Sequence, residues 1–178
     1  HGPPAENGLI QNYFDNIKLP YTSCNAHVSS LTFNKFACNN MLKSLGFKCA
    51  DSIIINSEFS ENKIINAVGL PCFVKPNQSG SSYGISKVTK ISELSKAIKQ
   101  ALLHDNDVLI EKFIEGKEMS CGVYANKNNI IPLPITEIIS ENDFFDYEAK
   151  YKGKSEEITP AKIDIHIVKK VNNISEKL

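Results

Sequence analysis

The sequence predicts an α+β fold, because short apolar strands and amphipathic helices follow one another without regular β-α-β alternation. The clearest helix signal is an apolar stripe at helical spacing in residues 92–102. The clearest strand signals are the apolar runs at 52–55 and 70–74. With 178 residues, of which 42% are hydrophobic, the chain is long enough to bury a core.

Helices are predicted where apolar residues recur three or four positions apart and where capping residues flank the run. They span 8–17, 32–45 (Thr32 as N-cap and Gly46 as stop), 61–67 (ending at Gly69), 92–102 (Ser92 as N-cap) and a last segment after Asp164.

Strands are predicted at 52–55, 72–75, 85–88 and 107–113. Residues 117–125 and 130–133 are predicted to pair as a hairpin around the turn 126–129. No element is assigned to the polar and aromatic stretch 140–160.

Charge and cysteine content narrow the functional class. Twenty basic residues balance twenty acidic ones, so nothing favours nucleic acid, and no apolar run approaches the length of a membrane span. All basic residues are lysines, so any guanidinium that a reaction needs must come from outside this chain. Five scattered cysteines without a C-x-x-C pair predict reduced thiols and a cytoplasmic location. The chain begins at His1 and stops inside a predicted helix, so we expect a segment of a longer protein.

A phosphate-binding loop is predicted after the strand that ends at Lys75. The small residues of Gly80–Gly84 can turn backbone N–H groups toward anionic oxygens, and we expect the Lys75 ammonium to point toward them. The loop is not a Walker A motif. The alternative is a flexible Gly/Ser turn.

Two lysines and two carboxylates precede and follow this loop along the sequence: Lys35, Lys75, Glu111 and Glu118. Lysines neutralise phosphate charge, and carboxylates accept hydrogen bonds from an adenine amino group and from ribose hydroxyls. If they converge, they form a nucleotide site. Taken singly, each is more often a solvated surface charge.

The joint order resembles the ATP-grasp ligases, and among them the D-alanine–D-alanine ligases. The matching segments are His1-Gly2-x-x-x-Glu6-Asn7-Gly8, Leu19-Pro20-Tyr21-Thr22, Asn34-Lys35, Val74-Lys75-Pro76, Gly80-Ser81-Ser82-x-Gly84, Leu109-Ile110-Glu111-Lys112, Gly116-x-Glu118, Glu137-Ile138, Phe145-Asp146-Tyr147-Glu148-Ala149-Lys150-Tyr151 and Pro160-Ala161.

The resemblance implies ATP and Mg²⁺ as cofactors and assigns the nucleotide contacts. These are Lys35 and Lys75 on the phosphates, Gly80, Ser82 and Gly84 in the loop over the β- and γ-phosphates, Glu111 with the backbone of Lys112 and Ile114 at adenine, and Glu118 at ribose.

It also implies the substrate contacts and the reaction. Ser81 and Tyr151 would close a lid, Lys150 would face the transferred phosphoryl group, and His1 and Glu6 would lie near the first D-alanine. The implied reaction phosphorylates one D-alanine on its carboxylate, and the amine of a second D-alanine then attacks, for peptidoglycan precursor synthesis. Full-length members are expected to be homodimers.

By the same resemblance, residues 1–32 end an N-terminal substrate-binding domain, 33–114 form the central ATP-grasp subdomain, and 115–178 form part of the C-terminal subdomain with the lid loop. The magnesium carboxylates and the oxyanion arginine are expected beyond Leu178, so no metal ligand is assigned here and the isolated chain is expected to be inactive. The alternatives are a D-alanine–D-lactate ligase, another ATP-grasp acid–amine ligase, or a non-catalytic nucleotide-binding module.

Overall fold

The computed structural model describes residues 2–127, 129–140 and 155–178. The chain divides into two compact units, His1–Ile114 and Glu115–Leu178, called here the first and second units. The α+β class predicted from the sequence is confirmed.

Helices and strands alternate irregularly along the described chain. The helices are α1 (Leu9–Asn16), α2 (Ala26–Phe33), α3 (Lys35–Ser44), α4 (Glu61–Val68), α5 (Ile91–Ala101) and α6 (Ile165–Lys177). The strands are β1 (Ser52–Ile55), β2 (Cys72–Pro76), β3 (Ser86–Val88), β4 (Val108–Lys112), β5 (Glu118–Ser120), β6 (Val123–Ala125), β7 (Ile130–Pro132), β8 (Thr136–Ser140) and β9 (Ser155–Ile158). Across the described residues, no helix combines the length and the apolar character that crossing a bilayer requires.

The first unit is built on an antiparallel sheet with strand order β1-β4-β2-β3. Helices α4 and α5 lay their apolar stripes on one face of this sheet. The core consists of Ile64, Val68, Cys72, Val74, Val88, Leu94, Ala97, Ile98, Ala101, Val108 and Ile110.

The opposite face of the same sheet carries polar groups because strand side chains alternate between faces. On β2, Cys72 and Val74 are buried in the core, so Phe73 and Lys75, which alternate with them, lie on the other face. The register places Phe73 opposite Glu111, which brings the Glu111 side chain to the same face as Lys75.

The second unit contains a three-stranded antiparallel sheet, β5-β8-β9, and the separate hairpin β6-β7. Its last helix, α6, begins at the predicted N-cap: an oxygen of Asp164 accepts a hydrogen bond from the His166 backbone N–H at 2.7 Å.

Two of the predicted helix starts are wrong. Thr32 lies in the last turn of α2, which the sequence prediction missed, and its hydroxyl donates to the Val28 carbonyl at 2.9 Å. The cap of α3 is Asn34, whose oxygen accepts from the Ala37 N–H at 3.0 Å. Ser92 lies inside α5, whose first turn is held by Glu93 instead. A threonine hydroxyl can donate to a carbonyl one turn back inside a helix, so a threonine does not by itself mark an N-cap, and the helix start predicted at Thr32 was wrong.

The predicted hairpin is partly wrong. The segment 117–125 is interrupted at Cys121–Gly122, and only its second half, β6, pairs with β7. Strand β5 pairs with β8 instead. No strand had been predicted at β8, which ends at Ser140, and β9 lies within the stretch 140–160 to which no element had been assigned. The short polar strands 136–140 and 155–158 give little apolar alternation to detect.

Candidate functional site

The Lys35 side chain reaches the loop that follows β2. Its ammonium donates to the carbonyl of Ser79 at 2.5 Å and to the carbonyl of Asn77 at 3.1 Å. Lys35 is the first residue of α3, so the start of this helix stands beside the loop. The structure thus brings together Lys35 and the loop, as the sequence predicts.

Asn77 fixes this arrangement and was not recognised in the sequence. It is completely buried, and its side-chain oxygen accepts from the Phe36 N–H at 2.9 Å. Its amide nitrogen donates to Asn34 at 3.0 Å, and its backbone N–H donates to the Asp107 carbonyl at 2.9 Å. Only a side chain with both a donor and an acceptor satisfies both partners on α3. The one sequence signal was a polar residue directly after a buried strand.

The loop backbone adopts conformations that most residues avoid. Ser81 and Ser82 have φ angles of 51° and 59°, and Gly84 has a φ of 71°. A Cβ atom on Gly84 would come within 2.9 Å of Pro76 Cγ and 2.7 Å of His104 Cδ2. Consecutive residues in the left-handed region cost free energy and are concentrated in ligand-binding loops, where successive N–H groups form anion-binding concavities.

Lys75 faces a carboxylate and not the loop. Its ammonium forms an ion pair with an oxygen of Glu111, and the other Glu111 oxygen accepts from the Asn39 amide at 2.5 Å. The side chains of Lys75 and Glu111 are only 19% and 12% exposed, so solvent screens this pair weakly. The two predicted residues Lys75 and Glu111 therefore share one site, and Asn39 is an addition that the sequence prediction missed.

A second set of predicted residues shares a cleft of about 410 Å³. Glu6, Lys35 and Gly80 line it, and a Cβ atom on Gly80 would lie 3.5 Å from Glu6 Oε2. The same Glu6 oxygen accepts the Gly2 N–H at 2.6 Å. The residue predicted to lie near a substrate thus borders the residues predicted to hold phosphate.

The segment carrying Glu6 is anchored by Gln11 from α1. Gln11 is 97% buried, and its amide donates to the Ala5 carbonyl at 2.7 Å and to Ser23 at 3.1 Å. This anchor was not recognised in the sequence either, since an isolated glutamine on a helix carries no motif.

The remaining predicted site residues are distributed as follows. The Lys112 backbone N–H donates to the Asp51 carbonyl at 2.9 Å, and the Ile114 side chain is 67% exposed. Glu118 is exposed at the start of β5, in the second unit. His1, Lys150 and Tyr151 lie outside the described residues.

Two observations limit the chemistry of the described residues. Burial raises the pKa of the Cys72 thiol to about 11, so this thiol stays protonated and is not a nucleophile. In the ranges 2–127, 129–140 and 155–178, no three His, Cys, Asp or Glu side chains group as metal ligands. We therefore assign no metal ligand among these residues and no step to a metal ion.

Comparison with known proteins defines the family. The sequence model of the family described as "D-ala D-ala ligase C-terminus" matches residues 41–178. The chain belongs to the D-alanine–D-alanine ligase family. It is 51% identical over 179 residues to a D-alanine–D-alanine ligase of Flavobacterium johnsoniae, covering 99% of this chain and 55% of that protein. It is 48% identical to the Phocaeicola vulgatus ligase over 92% of this chain and 51% of that protein.

Solved structures of related ligases have the same fold as this chain. The VanG D-Ala:D-Ser ligase of Enterococcus faecalis aligns with a TM-score of 0.82 and 32% identity, covering 98% of this chain and 52% of that one. The Bacillus anthracis D-alanine–D-alanine ligase aligns with a TM-score of 0.83 and 28% identity, covering 99% and 57%. The family resemblance and the ATP-grasp fold inferred from the sequence are confirmed. The chain spans about half the length of the relatives that it matches.

Proposed function

We propose that the complete protein carrying this chain joins two D-alanine molecules to D-alanyl-D-alanine at the expense of ATP. The observation that supports this most is a Gly/Ser loop contacted by Lys35, which follows the strand on which Lys75 pairs with Glu111, in a member of the ligase family. Lys35 contacts the loop directly, and Lys75 pairs with Glu111 on the adjoining face of the sheet. Cations at the phosphates with an acceptor for the base are what a bound nucleotide requires.

Bound ATP supplies the phosphoryl group that makes the first D-alanine carboxylate an acyl donor for the amine of the second. Lys35 at the start of α3 and Lys75 on β2 neutralise the phosphate charge. The loop Gly80–Gly84 closes over the terminal phosphates, since the left-handed turns at Ser81 and Ser82 shape its backbone into a concave surface. The chain's contribution is therefore positioning and charge neutralisation.

The other predicted roles belong to the same proposal. Glu111 accepts from the adenine amino group beside Lys112 and Ile114, and Glu118 binds ribose. Glu6 and His1 lie near the first D-alanine. Ser81, Lys150 and Tyr151 close the site over the substrates.

The proposal extends to the setting of the enzyme. D-Alanyl-D-alanine is a building block of peptidoglycan, so the reaction belongs to cell-wall synthesis. Five free thiols fit a reducing cytoplasm, and we propose a homodimer for the complete protein.

The test measures phosphate release and dipeptide formation by the purified complete protein with ATP and D-alanine. We expect one phosphate per D-alanyl-D-alanine and none with L-alanine. D-Serine and D-lactate are supplied as second substrates, because one similar structure is a D-Ala:D-Ser ligase. ATP binding without any dipeptide would leave the nucleotide-binding module as the function. A product formed only with D-serine or D-lactate would change the acceptor.

A further inference from the structure

We propose that Asn39 is a positioning residue that holds Glu111 in place and thereby sets the preference for adenine over other bases. This inference rests on the proposed function, because it assumes that Glu111 meets the base of a bound nucleotide. Nothing in the sequence motifs singles out Asn39, and its role follows from its contact.

The Glu111 carboxylate is held through both of its oxygens from two different elements. Asn39 on α3 donates to one oxygen at 2.5 Å, and Lys75 on β2 pairs with the other. Lys75 supplies charge but little direction, since an ammonium rotates freely about its stem. The planar amide of Asn39 supplies the directional bond that fixes the plane of the carboxylate.

Helix α3 connects this contact to the phosphate loop. Lys35 and Asn39 are four residues apart and lie on the same face of the helix. Lys35 bonds the loop carbonyls and Asn39 bonds Glu111, so a single helix face contacts both ends of the proposed nucleotide site. The start of α3 is itself fixed by the buried Asn77.

A fixed carboxylate discriminates between bases by hydrogen-bond polarity. A carboxylate accepts only, so it favours the amino group of adenine and disfavours the carbonyl that hypoxanthine carries at the same position. Two oxygens offer about four acceptor positions, and Asn39 and Lys75 take two of them. Without Asn39 the carboxylate can rotate toward the Lys75 ammonium, and its acceptor positions no longer face the base.

The test compares Asn39→Leu with Asn40→Leu in the complete protein. Asn40 is the exposed neighbour on the same helix, so its replacement controls for losing an asparagine from α3. KM and kcat are measured with ATP and with inosine triphosphate. For Asn39→Leu we expect KM for ATP to rise about tenfold, as for a lost hydrogen bond to a charged group, and kcat to change little. The ratio of kcat/KM for ATP to kcat/KM for inosine triphosphate should fall by a similar factor in Asn39→Leu. Asn40→Leu should match the wild type in both measurements.

Two further comparisons separate positioning from a structural role. In a Glu111→Gln background, Asn39→Leu should add nothing to the loss of selectivity, because it acts through Glu111. Asn39→Asp, which keeps the side-chain size, should also lose selectivity. A folded Asn39 variant with wild-type base selectivity overturns the proposal, as does a fully additive effect with Glu111→Gln. Failure of both Asn39 variants to fold, beside a folded Asn40→Leu, would make Asn39 structural and would also overturn it. A wild-type protein that does not use ATP at all would instead overturn the proposed function.

Discussion

Single buried amides determine the geometry of this site, and Asn77 is the clearest example. Its side chain ties the first turn of α3 to the loop through two hydrogen bonds, both made away from solvent. The loop and Lys35 therefore depend on Asn77 for their relative position.

We expect Asn77→Ala to destabilise the protein by about 3 kcal/mol, because it leaves the Phe36 N–H unpaired and removes one of the two hydrogen bonds that the Asn34 oxygen accepts. Urea denaturation measures this loss. Gln78→Ala is the matched control, since the Gln78 side chain is exposed, and it should change stability by less than about 0.5 kcal/mol. Equal stabilities for the two variants would show that Asn77 is not the anchor.

Gly84→Ala tests the loop at the same scale. The substitution adds left-handed strain of about 1–2 kcal/mol and a clash with the buried Pro76. Gly46→Ala is the control, because Gly46 has a φ of 86° but nothing within 4 Å of the added Cβ. We expect both variants to lose stability and only Gly84→Ala to lose ATP affinity as well, measured by thermal unfolding with and without nucleotide. Identical behaviour would mean that the close approach at Gly84 does not shape the loop.

At the scale of helices and strands, the sequence prediction was correct for elements with a clear apolar stripe or run. Helix α5 and strands β1, β2 and β4 were found because an apolar stripe or an apolar run extends over most of each element. Helix α2 was missed because it has almost no amphipathic pattern in its sequence. Strands β8 and β9 were missed because pairing partners, not propensity, define them.

The site shows the same division. Lys35, Lys75 and Glu111 were found through motif order; in the structure Lys75 pairs with Glu111, and Lys35 contacts the loop. The sequence did not indicate that Lys75 would face Glu111, because this follows from the register between β2 and β4. Asn39, Asn77 and Gln11 were missed because an amide side chain that bonds residues distant in the sequence leaves no local pattern.

The start of α5 should respond to pH through Glu93. Hydrogen bonds from the backbone N–H groups of Thr89 and Lys90 hold the pKa of this carboxyl below its ordinary value. A carboxyl with a lowered pKa in the folded state stabilises the fold above its ordinary pKa, and this contribution is lost as pH falls through the lowered pKa.

The stability difference between wild type and Glu93→Gln should therefore be present at about pH 7 and shrink toward about pH 3, measured by urea denaturation. Gln100→Ala, at an exposed position of the same helix that carries no titratable group, is the control and should leave the pH dependence as in the wild type. A difference that stays constant with pH would show that the ionised form is not what stabilises this helix start.

For the whole molecule, the two units differ in how much core they carry. The core cluster lies entirely within the first unit, whereas Ile135 is the one buried hydrophobic residue of the second unit among the described residues. We expect residues 1–114 alone to unfold cooperatively in urea and residues 115–178 alone to show no cooperative transition. A cooperative transition for 115–178, with none for 1–114, would contradict this assignment of stability.

The central claim is that Lys75 and its neighbours bind ATP, and calorimetric titration with a non-hydrolysable ATP analogue tests it most directly. Wild type, Lys75→Ala and Lys96→Ala are compared in the complete protein, with Lys96 as an exposed lysine on α5 outside the site. We expect Lys96→Ala to bind as the wild type does and Lys75→Ala to lose about 1.5–3 kcal/mol of binding free energy, the range for a hydrogen bond to a charged group. Equal affinities for all three proteins, each with an unchanged unfolding transition, would contradict the account.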